Sequence, residues 1–164
     1  MESKKRILFV CTGNTCRSPM AEALARRYWG EDQVEVLSAG LFAIEGESAS
    51  PEAQLVLEEE GIDLSQHRAR PLTSELLEEA DLILTMTRAH RQMLLSLYPE
   101  HEHKIWTLKA WVGSLKGETV NEEDEDIPDP FGYDVAVYAQ TRDLLKSLVI
   151  DIQRPQKSAD EHSP

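Results

Sequence analysis

A three-layer α/β fold, a parallel sheet with helices on both faces, is the fold class this sequence predicts. Two observations carry it. Short apolar runs of strand length alternate along the chain with longer stretches of helical periodicity. The first run, Ile7-Leu8-Phe9-Val10, passes through a glycine-containing loop directly into a helical pattern, as in the first half of a βαβ unit. At 164 residues and 41% hydrophobic content, the chain has the size of one domain with a sizeable core. The pattern places that domain at residues 1–152 and leaves 153–164 as a polar tail.

The elements follow in order. Residues 6–11 read as the first strand. Residues 18–29 follow as a helix, with Ala21, Leu24, Ala25 and Tyr28 on one face and Ser18 and Pro19 as N-cap and first helical residue. Val34 to Ser38 is a second strand, and a loop over 41–50 leads to a helix from Pro51 to Glu59 that stops at Gly61. A short helix over 73–80, opened by Thr73 or Ser74, precedes a third strand at 81–86, strongly apolar through Leu82-Ile83-Leu84. Residues 88–97 form a helix ended by Pro99, and 103–108 a fourth strand. Residues 109–131 read as mostly irregular. A last helix runs from Asp134 to Ile152, and the tail beyond it is expected to fray. In open parallel sheets ligands bind beyond the carboxyl ends of the strands, which is where the loop after the first strand belongs.

That loop is Cys11-Thr12-Gly13-Asn14-Thr15-Cys16-Arg17-Ser18. A helix N-terminus leaves backbone N–H groups unpaired and carries partial positive charge, so a short loop curling into it makes an anion cradle. Gly13 lets the backbone bend, and Asn14 tolerates a left-handed conformation. Arg17 offers a planar fork for two phosphate oxygens. The same positive field is expected to lower the Cys11 pKa, and a thiolate facing a bound phosphate is a phosphoryl-transfer nucleophile. Thr12, Gly13, Asn14, Thr15, Cys16 and Ser18 are thus candidate phosphate- and substrate-binding residues, with Cys11 and Arg17 as candidate catalytic ones.

Composition excludes several alternatives. The net charge of −13 argues against nucleic acid, whose binders need a basic face, and requires any phosphate field to be local. Both cysteines lie inside the loop, with no further cysteine for a zinc site, and His101 and His103 read as exposed rather than as ligands. No metal or other cofactor is expected, since the cradle and Arg17 supply the positive charge. Lys4-Lys5-Arg6 is followed by only five apolar residues, too few for a secretory signal, and no run approaches membrane-spanning length. A cytoplasmic monomer without membrane partners is the expectation.

The loop resembles the signature of the low-molecular-weight protein tyrosine phosphatase family, cysteine-x5-arginine-serine near the N-terminus. Asp129-Pro130-Phe131 is similar to the family's general-acid loop, Ser38-Ala39-Gly40 closes the second strand as in the family, and His67-Arg68-Ala69-Arg70 matches a stretch that members carry. The resemblance implies a four-stranded sheet in the order 2-1-3-4. It also implies Asp129 as general acid and base, a choice that sequence alone leaves open among Asp124, Asp126, Asp129 and Asp134. Ser38 and His67 would support the loop through hydrogen bonds, Asn14 with them, and Ser18 would bond the Cys11 thiolate.

Within that family, members acting on phosphotyrosine usually carry an aliphatic residue where this chain has Thr15, and Tyr where it has Phe131-Gly132. Threonine and glycine here resemble the bacterial protein arginine phosphatase branch. An aliphatic wall suits a phenyl ring, and a hydroxyl suits a polar guanidinium. The implied role is hydrolysis of phosphoarginine in proteins, opposing an arginine kinase in stress and protein-degradation control. The alternatives are a phosphotyrosine phosphatase, and a phosphoprotein-binding module, against which the retained Cys11 and Asp129 speak. A thioredoxin-coupled arsenate reductase would need cysteines after Cys16, and there are none. The acidic run 122–126 reads as a solvated loop that can also add field at the mouth. Phe42 and Phe131 are candidate pocket walls. Cys16, five residues from Cys11, is a candidate redox partner that could trap an oxidised Cys11 as a disulfide.

Overall fold

The computed structural model of the chain describes residues 4–30, 32 and 34–162. Four parallel strands, β1 (Lys5–Cys11), β2 (Val34–Gly40), β3 (Leu82–Thr85) and β4 (Ile105–Thr107), form one sheet in the order 2-1-3-4. Among the described residues six α-helices accompany them: α1 (Arg17–Trp29), α2 (Pro51–Glu58), α3 (Ser74–Glu79), α4 (Arg88–Leu97), α5 (Leu108–Leu115) and α6 (Val135–His162). Among the described residues no helix is long and apolar enough to cross a membrane.

Alternation along β1 builds the three layers. Phe9 and Cys11 face one core with Leu24, Leu57, Leu84, Tyr138 and Leu145, which brings in α1, α2 and α6. Leu8 and Val10 face the other with Leu77, Ile83 and Leu94, which brings in α3 and α4. A central strand buried on both faces therefore reads as a continuous apolar run, and each fully buried Leu or Phe contributes about 1.5–3 kcal/mol relative to exposure. Hydroxyl caps start the helices: Ser50 for α2, Thr73 for α3, Thr87 for α4 and Thr107 for α5 each accept a backbone N–H.

The structure departs from the sequence expectation at four places. The first helix starts at Arg17, with Cys16 before it and no side-chain cap, so Ser18 is not the N-cap. Its hydroxyl is drawn instead to the Cys11 sulfur. The segment read as irregular after residue 108 contains α5, where Leu108 and Val112 bury a short face. Thr107 both ends β4 and caps α5, so no loop separates them and no turn signal marks the change. A 3-10 helix, Pro99–Lys104, occupies the residues before β4, which shortens that strand to three residues and leaves His103 exposed but His101 partly covered. Finally, α6 continues past Ile152 to His162.

β1 has β2 on one side and β3 on the other, so the chain reverses its direction of growth there. The carboxyl ends of these strands make the crevice where such sheets bind ligands. The segment carrying Asp129 returns to the same edge, since the Ile127 N–H donates to the Met86 carbonyl just beyond β3 (2.9 Å).

Candidate active site

β1 delivers Cys11 to the end of the sheet, and residues 12–16 curl from it into α1. The Cys11 sulfur lies 2.8 Å from the Ser18 Oγ and accepts the Asn14 N–H at 3.3 Å. The loop is pinned from outside, because the Leu41 and Phe42 N–H groups donate to the carbonyls of Cys11 and Thr12, each at 2.9 Å. Gly40 is required for this approach. A Cβ there would stand 2.6 Å from the Thr12 carbonyl oxygen and 2.9 Å from the Asn14 nitrogen, both backbone atoms that cannot swing away.

Asn14 organises the interior of the loop. It is the one non-glycine residue with positive φ among the described residues, at 58°. Its Nδ2 donates to Ser18 Oγ (2.8 Å) and Ser38 Oγ (2.9 Å), and its Oδ1 accepts the Arg70 N–H (3.0 Å). His67 Nε2 lies 2.7 Å from the Asn14 carbonyl. Ser38 passes the chain on, donating to Glu22 Oε1 at 2.5 Å, and Glu22 pairs with Arg26 at 2.6 Å. A left-handed residue normally costs about 1–2 kcal/mol, and this set of partners is what holds it.

Arg17 is nearly buried, at 6% side-chain exposure, and Asp129 is half exposed, at 50%. Their side chains lie 3.4 Å apart, and Arg17 Nη1 donates to the Ile127 carbonyl at 2.9 Å. Asp129 Oδ1 accepts the Phe131 N–H at 3.0 Å, a turn that holds the carboxylate toward the loop. The acidic run before it ties this segment down. Asp126 accepts the Arg88 N–H at the start of α4 (2.8 Å), and Glu125 accepts the Thr107 hydroxyl (2.7 Å). Phe42 and Phe131 are 66% and 68% exposed beside the loop, so neither belongs to the core.

The Cys16 sulfur meets a residue of α6 and the N-cap of α2. Its hydrogen-bond partners are the Tyr138 hydroxyl (3.3 Å), Ser50 Oγ (3.5 Å) and Thr15 Oγ1 (3.8 Å). Both cysteines are free and buried. Burial and the Cys16 contact push the Tyr138 phenol up from its ordinary value.

The expectation of a lowered Cys11 pKa needs correction. Burial is the largest influence and pushes the thiol up, while the Ser18 hydrogen bond, the Arg17 charge and the Asn14 N–H pull it down. The thiolate therefore depends on its donors. Ser18→Ala removes a bond that favours the charged form, so the thiol pKa rises further. The acidic limb of the kcat/KM–pH profile is expected to move to higher pH, with the largest loss on the acid side.

All the loop residues named from the sequence meet here, together with Ser38, His67 and Asp129. Sequence reading missed Glu22, Arg70, His90 and Tyr138. Glu22 and Tyr138 lie on helix faces that look ordinary, and only packing turns them toward the loop. Arg70 acts through its backbone N–H on Asn14 and through its Nε, which donates to the Ser38 carbonyl at 3.0 Å, and both partners lie far from it in sequence.

A cysteine and an arginine facing an anion cradle, with a carboxylate across it, find close counterparts among known proteins. Residues 6–160 match the family model described as low molecular weight phosphotyrosine protein phosphatase. A protein-arginine-phosphatase from Geobacillus stearothermophilus is 46% identical over 144 residues, 88% of this chain and 90% of that protein. The solved YwlE arginine phosphatase of the same organism superposes with a TM-score of 0.84 at 43% identity, covering 98% of each chain. A YwlE arginine phosphatase mutant with a phosphorylated active-site serine superposes at 0.82 with 42% identity, covering 93% of this chain and 95% of the other. With the loop, the sheet order and nearly the full length in agreement, this chain belongs to the low molecular weight phosphotyrosine protein phosphatase family.

Proposed function

We propose that this protein is a protein arginine phosphatase that hydrolyses phosphoarginine in proteins through a phosphocysteine intermediate, with the catalytic domain in residues 1–152. The observation that carries it is Thr15, a hydroxyl where phosphotyrosine enzymes of the family carry an aliphatic wall, in a chain similar to relatives named protein-arginine-phosphatase. Cys11 attacks phosphorus in line, and the S–P bond forms as the P–N bond breaks. Arg17 and loop N–H groups hold the equatorial oxygens, while the Asn14 N–H serves the Cys11 sulfur. Asp129 gives its proton to the departing guanidine nitrogen, then takes one from the water that attacks phosphocysteine, releasing phosphate and the Cys11 thiolate. Asn14, Ser38 and His67 hold the loop in shape. The substrates are phosphorylated proteins, and the enzyme is a cytoplasmic monomer that needs neither nucleic acid, membrane, metal nor cofactor.

The test is a paired kcat/KM comparison on phosphoarginine and phosphotyrosine peptides. Wild type is expected to prefer phosphoarginine, and Thr15→Ile to lower that preference about 10- to 200-fold, the range available to a single pocket contact. A wild-type preference for phosphotyrosine would instead favour the second reading, an ordinary tyrosine phosphatase. The exposed rings of Phe42 and Phe131 beside the loop lend that reading its support, since they could stack on a phenyl group.

Cys16 serves as a reversible guard in this reading. Peroxide oxidises the Cys11 thiolate to the sulfenic acid, and the Cys16 thiol then displaces hydroxide, forming a disulfide and water. Cys16→Ser is expected to recover less activity than wild type after peroxide and a thiol reductant. Equal recovery would remove the guard.

A further inference from the structure

We propose that the Thr12 hydroxyl, held by the His90 imidazole, forms a second polar wall of the substrate pocket and helps select a guanidinium leaving group over a phenyl ring. The proposal deepens the phosphoarginine reading and rests on it. Thr12 directly follows Cys11, and its side chain is exposed. Its Oγ1 lies 2.9 Å from His90 Nε2. His90 itself is 7% exposed in the first turn of α4, and its backbone N–H is capped by Thr87 Oγ1 at 3.1 Å.

The other ring nitrogen shows why this histidine is more than filling. His90 Nδ1 is buried and has no hydrogen-bond partner among the described residues. A leucine would occupy the position without stranding a polar atom, so the ring costs stability that its Thr12 contact alone does not offset. Three charged groups face it: Arg17, Asp126 and Asp129. Burial first, then the Arg17 charge, depress the imidazole to about 4 against the pull of the two carboxylates, so the ring is neutral in the working range. A protonated ring could only donate. With its hydrogen on Nδ1, the neutral ring accepts the hydrogen bond of the Thr12 hydroxyl at Nε2, which turns the oxygen's lone pairs toward the pocket. A guanidinium has N–H donors and no acceptor, and an outward lone pair matches it, whereas a phenyl ring gains nothing from it. Thr15 is tied to the opposite neighbour, its carbonyl accepting the N–H of Ser50, the N-cap of α2 (3.0 Å). The Thr15 hydroxyl neighbours the Cys16 sulfur (3.8 Å) and the Thr12 hydroxyl neighbours His90 of α4, so the two have different partners.

The experiment measures kcat/KM for matched phosphoarginine and phosphotyrosine peptides with Thr12→Val and His90→Leu, singly and combined. Thr12→Ser and His90→Gln, which keep a hydrogen-bonding group in place, are the conservative controls. The phosphoarginine-to-phosphotyrosine ratio is expected to fall about 10- to 100-fold in each disruptive single variant, to fall no further in the double variant, and to recover in the controls. A parallel loss on both substrates with the ratio intact overturns the proposal, because a pair that only shapes the loop would behave that way. Additive losses overturn the link between the two residues. Should His90→Leu not fold, the comparison of Thr12→Val with Thr12→Ser at an exposed position decides alone. A wild type that prefers phosphotyrosine defeats the phosphoarginine reading itself and this proposal with it, a failure seen before any variant is made.

Discussion

Cys11→Ser is expected to lower turnover by about 10⁴-fold or more while the protein still folds and binds phosphate, since oxygen replaces sulfur without changing shape. A serine hydroxyl stays protonated where a thiol can ionise, even one that burial pushes up against the pull of Ser18, Arg17 and the Asn14 N–H. The measurement is single-turnover release of phosphate, together with mass spectrometry of the protein after rapid quenching. Wild type should show a phosphorylated cysteine that accumulates and decays. Undiminished turnover in the serine variant would overturn nucleophilic catalysis by Cys11.

Asp129→Asn carries the second-largest effect. The amide keeps the size of the side chain and can still accept the Phe131 N–H, but it has no proton to give to the guanidine. Turnover of a phosphoarginine peptide is expected to fall about 10²- to 10⁴-fold, the usual worth of a positioned general acid. Turnover of an aryl phosphate with a good leaving group should fall less, because that group departs with little need of a proton. The variant also removes the charge 3.4 Å from Arg17, so tighter binding of inorganic phosphate is the expected companion result. Equal losses on both substrates would move the general-acid role to another group.

Much of this was legible in the chain because the information is local. The strand from Lys5 to Cys11 is buried on both faces, so its apolar run is continuous, and a helix begins immediately after the loop. Gly13, Asn14 and Arg17 sit in the order that a phosphate cradle needs, and the observed positive φ of Asn14 matches the conformational tolerance that singled it out. α5 was not legible for an equally local reason. It shares Thr107 with the strand before it, and eight residues with one small buried face give too short a period to read.

The fold class, the loop and the roles of its cysteine, arginine and asparagine can be read from the chain alone. These follow from backbone conformation and hydrophobic periodicity, which depend on residues a few places apart. Their surroundings depend on long-range packing. Asp129 reaches Arg17 because the Ile127 N–H joins the chain beyond β3, and Ser38, Glu22 and Arg70 meet Asn14 across strands and loops far apart in sequence. His90 comes to Thr12 from 78 residues away. The balance on the Cys11 thiol likewise belongs to the fold: a helix N-terminus predicts a lowered pKa, but burial, which is set by how the layers pack, pushes it the other way.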